Sequence, residues 1–394
     1  MKKKVVLYGA YDRYNYGDNL MPILLKMYLD KYEPEKLEEI DVIYASISDS
    51  DLSLYSCFPT QSIKSVIEDL TEGDCIVVVG GEVLCASNAV LFLHMPKPKL
   101  LNDLYIKLNR LPIIRKLFKC FADINYRAPW DYPYLPDGKM LNDGVNVKYN
   151  TVGGNLDWLP ESSLVDLSGR LNNAEYISVR DKRTLNKLSS IKDVKLYPDS
   201  AFIMSDLCSE AFLQKNISKD ICDFNADSYI VFQAAPSKLG DTLDNLVNKL
   251  RALYQSTNKR ILLLPIGYAA GHDDFYILNE IHQRIPEFTD IKINLNVWEI
   301  MYIIKHADYY MGTSLHGVIT AMSFGKPHFG INKSIQKLDA FLTDWSVAPY
   351  NQCYSVADID KLSALICEES KAKVRDNAKG IISLVKENNG LLFK

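Results

Sequence analysis

The chain lacks the features that mark several large classes of protein. It has only eight cysteines in 394 residues and no C-x-x-C pair, so a disulfide framework has no support and a reducing compartment is expected. It has no excess of positive charge: the formal net charge of -4 argues against a protein that coats nucleic acid. It has no repeat of fixed period, which argues against solenoids and propellers.

Long uninterrupted apolar runs are also missing. The run at residues 5–8 is shorter than the roughly 7 to 15 residues of a signal-peptide core, and it predicts a first strand instead. The most apolar window, residues 75–95, is broken by Gly80, Gly81 and Glu82, so we expect a strand, a turn and a helix there. The protein is therefore expected to be cytoplasmic.

The chain does contain two series of alternating strand and helix patterns. Its length suits two domains of about 200 residues each. Almost continuous apolar strands that alternate with helices predict parallel sheets covered on both faces. We predict an α/β protein with an N-terminal domain at 1–208, a C-terminal domain at 209–394, a polar linker at 209–228 and a cleft between the domains.

Hydrophobic periodicity gives the approximate position of each element. Strands are predicted at 4–8, 41–45, 75–79, 147–152, 176–179, 195–197, 229–233, 260–265, 307–311 and 327–331. Helices are predicted at 22–32, 184–190, 241–254, 274–284, 297–305 and 318–324.

One turn between a strand and a helix has the strongest chemical signal. It consists of Gly312, Thr313, Ser314, Leu315, His316 and Gly317. At a helix N-terminus, backbone N–H groups and the helix dipole favour a phosphate or carboxylate by about 0.3 to 1 kcal/mol. The glycines let a ligand approach the backbone, the hydroxyls can donate, and His316 can exchange protons. A structural histidine and a simple N-cap are the alternatives.

Other signals are weaker. Gly80 and Gly81 follow a strand, where they can cradle a substrate or simply form a turn. Neither this pair nor Gly153 and Gly154 completes the dinucleotide pattern G-x-G-x-x-G, so a nicotinamide cofactor has little support. His272, Asp273 and Asp274 are adjacent in the sequence, and a lone adjacent trio is a poor set of ligands for a metal ion. We expect no metal site.

Five segments share a pattern when they are taken in chain order. They are Asn15-Tyr16-Gly17-Asp18, Val79-Gly80-Gly81-Glu82-Val83-Leu84, Ser178-Val179-Arg180-Asp181, Pro198-Asp199-Ser200-Ala201 and the turn from Gly312 to Gly317. Together they resemble the motifs of the polysaccharide pyruvyl transferases. The last segment is the most specific, and the resemblance covers nearly the whole chain.

The resemblance implies two Rossmann-like domains in a GT-B-like arrangement, with phosphoenolpyruvate as co-substrate on the C-terminal domain and the acceptor on the N-terminal domain. It implies pyruvyl transfer to two hydroxyls of one hexose in a surface polysaccharide, such as capsule or exopolysaccharide, or in its undecaprenyl-type lipid-linked precursor. A cyclic ketal forms and phosphate leaves; no further cofactor is expected. Because the enol must be protonated on its methylene carbon, the reaction needs a general acid, for which His316 is the candidate.

The donor's negative charges cannot be buried without positive partners. Arg180 matches the family's functional arginine, and its fork can hold a carboxylate or phosphate, so it joins His316 as a catalytic candidate. Arg183 and Lys333 are donor-binding candidates together with Gly312, Thr313, Ser314, Leu315 and Gly317. Many relatives carry arginine where this chain has Ser314; Arg183, Lys326 or Lys333 would have to compensate for that charge.

The acceptor is expected at the carboxyl edge of the N-terminal sheet, since α/β sheets hold ligands there. The candidates are Asn15, Tyr16, Asp18, Asn19, Gly80, Gly81, Glu82 and Trp130. Trp130 lies with Tyr132 and Tyr134 in a proline-rich loop, whose rings can cover a sugar or pack as an ordinary loop.

Residues 88–121 break the acidic pattern of the chain. Their basic residues are Lys97, Lys99, Lys107, Arg110, Arg115, Lys116 and Lys119, against the single acidic Asp103. Apolar residues at helical spacing predict an amphipathic helix on either side of Pro112. Such a face predicts peripheral contact with the anionic inner leaflet, while a solvated helix packed on the first domain is the alternative.

Two other functions remain open from the sequence. The same architecture suits a nucleotide-sugar glycosyltransferase, which would need an acidic ribose-binding residue in the C-terminal domain. A non-catalytic, glycan-binding relative is the third possibility, which Ser314 favours.

Overall fold

Two parallel sheets organise the chain. The computed structural model describes residues 2–93, 111–159, 161–223, 228–268 and 273–394. One compact unit is built from Met1–Ser200 and Glu387–Lys394. The other is built from Ala201–Tyr268 and, among the described residues, from 273–386.

The sheet of the first unit has seven strands, all paired in parallel. They are β1 (Lys3–Tyr8), β2 (Ile40–Ser46), β3 (Gln61–Ser62), β4 (Cys75–Val79), β5 (Asn146–Val152), β6 (Tyr176–Val179) and β7 (Lys195–Leu196). In the order β3-β2-β1-β4-β5-β6-β7, the direction of winding reverses between β1 and β4. Loops that diverge at such a switch point leave a crevice for ligands.

The second unit repeats this design. Its described strands are β8 (Tyr229–Gln233), β9 (Arg260–Leu263), β10 (Thr289–Ile291), β11 (Tyr309–Gly312), β12 (His328–Ile331) and β13 (Cys353–Tyr354). They pair in parallel in the order β10-β9-β8-β11-β12-β13, so the switch point lies between β8 and β11. This is the strand order of a doubly wound nucleotide-binding fold.

Helices connect the strands and cover the sheets. In the first unit they are Tyr16–Tyr32, Pro34–Glu39, Ile63–Glu68, Asn88–Leu93, Pro112–Asn125, Glu161–Asn172 and Lys182–Lys187. In the second they are Met204–Leu207, Glu210–Asn216, Lys219–Asp223, Leu243–Thr257, Asp274–Arg284, Val297–His306, Leu315–Ser323 and Gln336–Trp345, and Glu368–Leu392 ends in the first unit. Among the described helices, none is long and apolar enough to cross a bilayer.

Side-chain caps decide where several helices begin. The oxygens of Asn15, Thr242, Asp273 and Asn296 each accept a hydrogen bond from an amide in the first turn of the following helix. The first of these caps starts its helix at Tyr16, six residues before the predicted start. The apolar stripe that guided the prediction begins only after the polar first turn.

Several other predictions also differ from the structure, and two of them have a local explanation. The stretch 209–228 was expected to be a linker, but it contains the helices Glu210–Asn216 and Lys219–Asp223, which bury Leu213 and Ile221. Strand β11 begins at Tyr309 rather than residue 307, because Ala307 caps the preceding helix through its amide.

His328, at the start of β12, is buried as a neutral imidazole. Its Nδ1 donates to the Lys326 carbonyl oxygen at 2.9 Å, and its Nε2 accepts from the Ser346 hydroxyl at 2.8 Å. Both nitrogens are satisfied without a charge. Burial lowers the pKa of His328 from 6.5 to about 4.

We predict that His328 makes the protein acid-labile. Because the unfolded histidine takes up a proton near its ordinary pKa and the folded one does not, stability falls as the pH drops from 6.5 towards 4, by up to about 3 kcal/mol. The midpoint temperature of thermal unfolding should fall less for His328→Gln than for the wild type between pH 6.5 and 4. The control His282→Gln, at a half-buried position beside the Thr289 hydroxyl, should follow the wild type. Parallel pH profiles for His328→Gln and wild type would contradict the assignment.

Candidate active site

The turn from Gly312 to Gly317, the signature turn, lies at the switch point of the second sheet. It leaves the carboxyl end of β11, and Gly312 pairs with Gln233 at the end of β8. Since the winding reverses between these two strands, the fold leaves room for a ligand here.

The helix after the turn begins earlier than predicted. It spans Leu315–Ser323, so His316 and Gly317 belong to its first turn. Ser314 is the N-cap: its hydroxyl oxygen accepts from the Gly317 amide at 3.4 Å. His316 is half-buried, and its carbonyl oxygen accepts from the Thr320 hydroxyl at 2.7 Å. The signature turn therefore places an imidazole at the positive end of a helix dipole.

Both glycines of the signature turn are required by the phenol of Tyr310. A Cβ on Gly317 would lie 2.1 Å from the Tyr310 hydroxyl oxygen, and one on Gly312 would lie 2.6 Å from it. Atoms do not approach so closely in folded proteins. The close packing of Tyr310 behind the turn thus explains the two glycines without invoking a ligand.

Thr313 is held from behind by Gln233. The Gln233 Oε1 atom accepts from the Thr313 amide at 3.0 Å and from its hydroxyl at 3.3 Å, and the Ala235 amide donates to the same hydroxyl at 3.1 Å. Thr313 is buried, so its hydroxyl shapes the turn. Sequence reasoning missed Gln233, although a polar residue that ends the apolar strand Tyr229–Gln233 is a usable signal.

Lys333 lies beyond the next strand. It follows Asn332, whose backbone φ of 78° is left-handed and whose side chain donates to the Lys238 carbonyl oxygen at 2.9 Å. Lys333 is exposed. It therefore follows β12 in the same way that the signature turn follows the neighbouring β11.

In the first unit, the two predicted acceptor segments meet at the other switch point. Gly80 and Gly81 follow β4 with φ of 58° and 81°. A Cβ on Gly80 would lie 2.1 Å from the Met21 sulfur, and one on Gly81 would lie 3.7 Å from an Asp18 carboxylate oxygen. The loop after β1 and the glycine pair after β4 are thus brought side by side.

Glu82, Arg180, Asp181, Arg183 and Asp199 form one ion-pair cluster. Arg180 donates to Asp199 at 3.0 Å and to Glu82 at 3.1 Å, and Arg183 donates to the same Glu82 oxygen at 2.8 Å. Arg183 also lies 3.6 Å from Asp181. The structure thus unites three residues to which the sequence assigned different roles: Glu82, Arg180 and Arg183.

Arg180 is only 1% exposed, and its guanidinium faces carboxylates. Burial alone would lower the pKa of Arg180, but Asp199 and Glu82 together raise it above its ordinary value, so the arginine stays charged. A direct catalytic contact of Arg180 with a donor stays a prediction.

Other acceptor candidates of the first unit serve the fold. Asn15 accepts from the Gly17 amide at 3.2 Å, and Asn19 accepts from the Asn15 amide at 2.8 Å. Trp130 is 1% exposed, donates to the Pro133 carbonyl oxygen at 2.9 Å and packs edge-on against Tyr8. This placement favours packing, the alternative that the sequence had left open for the aromatic loop.

The described residues offer no metal cage: nowhere in 2–93, 111–159, 161–223, 228–268 or 273–394 do three His, Cys, Asp or Glu side chains come together as a metal ion requires.

Comparison with known proteins identifies one family. The profile of the family described as polysaccharide pyruvyl transferase matches residues 15–334. Among curated proteins no significant match was found.

Solved structures share the fold at low sequence identity. UDP-GlcNAc 2-epimerase from Methanocaldococcus jannaschii is 12% identical, with 97% of this chain and 93% of that chain covered and a TM-score of 0.52. UDP-GlcNAc 2-epimerase from Neisseria meningitidis bound to UDP-GlcNAc is also 12% identical, with 98% of this chain and 100% of that chain covered and a TM-score of 0.52. The N-terminal domain of Candida albicans trehalose-6-phosphate phosphatase is 12% identical, with 99% of this chain and 97% of that chain covered and a TM-score of 0.52. These similarities confirm the predicted GT-B-like fold class of two Rossmann-like domains and do not extend to function.

We predict that Gly317→Ala destabilises the protein, because the added methyl group collides with the Tyr310 phenol. Overpacking of this kind typically costs about 1 to 3 kcal/mol. A matched control is Gly380→Ala, in the helix Glu368–Leu392, where an added Cβ meets open space. The control should gain roughly 0.5 to 1 kcal/mol from helix propensity. Equal thermal midpoints for the two variants would contradict the packing explanation.

Proposed function

This chain belongs to the polysaccharide pyruvyl transferase family, and we propose that it transfers a pyruvyl group from phosphoenolpyruvate to two hydroxyls of one hexose. The acceptor is a surface polysaccharide or its lipid-linked precursor, and the product is a cyclic ketal that carries a new carboxylate. The family is one of transferases; the donor, the acceptor and the ketal are the proposed details.

The proposed reaction balances without a further reagent. The methylene carbon of the donor takes up a proton and becomes a methyl group. Its central carbon forms two C–O bonds to the acceptor and loses the phosphate oxygen. One hydroxyl proton balances the proton on the methyl group, and the second leaves with phosphate.

The observation that supports this function best is the position of the signature turn. It combines the switch point of a Rossmann-like sheet, the first turn of a helix and an imidazole in one place. A small anion is stabilised at such a helix end, and an acid beside it can protonate the donor. We assign donor binding to the signature turn and the role of general acid to His316.

The donor also needs cations. Arg183 has a side chain that is 19% exposed, compared with 1% for Arg180, so Arg183 is the better candidate for direct contact with an anion. Arg180 would then act by fixing Glu82, which both arginines hold. Lys333 is exposed and available to the donor phosphate. Lys333, which belongs to the same unit as Ser314, would replace the charge of the arginine that many relatives have at that position.

The acceptor is proposed to bind at the switch point of the first sheet. Asp18 and the backbone of Gly80 and Gly81 lie together there, with Glu82 next in the chain. Carboxylates accept hydrogen bonds from sugar hydroxyls, and glycine lets the sugar approach the backbone. Asn15, Asn19 and Tyr16 would support this site through the first turn of their helix.

A lipid-linked acceptor would bring the enzyme to a membrane, and the helix Pro112–Asn125, the basic helix, suits that surface. Its outer side exposes Ile113, Leu117, Phe121 and Ile124, of which Ile124 is 81% exposed. Arg115, Lys116 and Lys119 are exposed on the same helix. Four of the basic residues that predicted this contact, Lys97, Lys99, Lys107 and Arg110, lie outside the described residues. Exposed apolar side chains beside cations are typical of helices that bind anionic lipid.

The membrane proposal predicts charge-dependent sedimentation with vesicles. Replacing Arg115, Lys116 and Lys119 by Gln should weaken binding to phosphatidylglycerol-containing vesicles on the order of 100-fold, at about 1 kcal/mol per charge. Phosphatidylcholine vesicles should pellet neither protein. The control replaces three lysines of another helix, Lys371, Lys373 and Lys379, and should pellet like the wild type. Equal pelleting of the basic-helix variant and the wild type would remove the idea.

The proposed mechanism predicts that His316→Gln abolishes transfer but not folding. Loss of a positioned acid costs about 100-fold to 10,000-fold in rate. The readouts are phosphate release and the mass of one pyruvyl ketal on candidate lipid-linked glycans. His306→Gln, on the preceding helix, should retain near-wild-type rates.

Titration calorimetry with the wild type separates this function from its alternatives. Phosphoenolpyruvate should bind, whereas a nucleotide sugar should not. Binding of a nucleotide sugar alone would favour a glycosyltransferase, and glycan binding without phosphate release would favour a non-catalytic protein.

A further inference from the structure

A buried carboxyl group supports the signature turn indirectly. It accepts a hydrogen bond from Gln233, which in turn accepts one from Thr313 of the turn. Asp274, at the start of the helix Asp274–Arg284, is 2% exposed. Its Oδ2 atom accepts from Gln233 Nε2 at 2.8 Å and from the amides of Ile266 and Gly267 at 3.1 and 3.0 Å. Three donors converge on one oxygen, which is the arrangement that stabilises a carboxylate.

The carboxylate determines which way the Gln233 amide points. With Nε2 directed at Asp274, Oε1 is directed at the signature turn, where it accepts from the Thr313 amide and more weakly from the Tyr310 hydroxyl at 3.4 Å. A flipped amide would present its oxygen to the carboxylate and its NH₂ to the Thr313 N–H. Both contacts would be repulsive.

We propose that Asp274 is a positioning residue that acts through Gln233 to hold the signature turn in its ligand-binding shape. It touches neither donor nor acceptor. It fixes the orientation of the Gln233 amide, which fixes Thr313 and Tyr310, and Tyr310 packs against Gly312 and Gly317 on either side of His316.

The environment of Asp274 places its ionisation close to neutral pH. Burial raises the pKa of Asp274 to about 7, against the opposing effects of Gln233, of the two amides and of Lys238 at the end of the single-turn helix Pro236–Lys238. Asp273 caps the same helix, and Arg284 at its far end pairs with Asp244 of the helix Leu243–Thr257. Asp290 on the adjacent β10 pairs with Arg260. Burial, the three hydrogen bonds and Lys238 therefore determine the pH at which Asp274 ionises.

The test compares Asp274→Asn with the wild type at two pH values, using phosphoenolpyruvate as the probe. The inference rests on the proposed donor. At pH 6 the wild-type carboxyl is mostly protonated, so the two proteins should bind the probe equally and share a thermal midpoint. At pH 8 the wild-type carboxylate fixes the amide, and the variant should bind about tenfold more weakly, within the usual range of coupling between sites. Asp290→Asn, in the same unit, should match the wild type at both pH values.

A second measurement does not depend on the donor. Hydrogen exchange of the peptide that contains residues 309–317 should be faster in Asp274→Asn than in the wild type at pH 8, and equal at pH 6.

The outcomes separate the inference from the proposed function. A wild type that does not bind phosphoenolpyruvate at either pH overturns the donor assignment, and hydrogen exchange then decides the positioning role. A binding ratio that is the same at pH 6 and pH 8 shows a merely structural residue and overturns the inference. Unchanged exchange of the signature turn at pH 8 overturns it as well.

Discussion

The packing of the Tyr310 phenol against two glycines is the constraint on which the signature turn depends. The phenol occupies the space that side chains at Gly312 and Gly317 would need. The end of the strand and the start of the helix therefore both pack directly against it. A side chain added at either glycine could not be accommodated by small shifts, because protein interiors are close-packed. The geometry of the turn follows from this contact before any ligand is considered, and His316 is carried on the rigid first turn that results.

In the ion-pair cluster of the first unit, charge balance has the role that packing has at the signature turn. Arg180 is surrounded by carboxylates and buried, an arrangement that is costly unless every partner is present. Two guanidinium groups converge on Glu82, so the orientation of that carboxylate is fixed from two sides. Because the described cluster contains three carboxylates and two arginines, it holds no surplus of positive charge for an anion. Arg183 is the more exposed of the two arginines, and on that ground it, rather than Arg180, is proposed for contact with the donor.

The sequence predicted most of the fold but less of the site. Buried parallel strands are almost continuously apolar, so β4, β6 and β8 were predicted with the bounds that the structure has. The very short strands β3, β10 and β13 were missed, since two or three residues give no period to detect. Motif spacing placed the turn at Gly312 to Gly317 on a strand end. It could not show that Trp130 is buried or that Glu82 joins two arginines, because burial and ion pairing depend on residues far apart in the chain.

Gln233 and Asp274 show what kind of signal escapes a motif. Neither residue belongs to the signature turn, and each is explained locally as a strand end or a residue in the first turn of a helix. Their connection appears only when β8, β11 and the helix Asp274–Arg284 meet at the switch point of the sheet. A ligand site at a switch point is shaped by several loops, so the residues that hold it rigid come from separate crossovers. The support of a catalytic turn in such a fold is therefore a property of topology, and polar residues that end buried strands beside the turn are where it is to be sought.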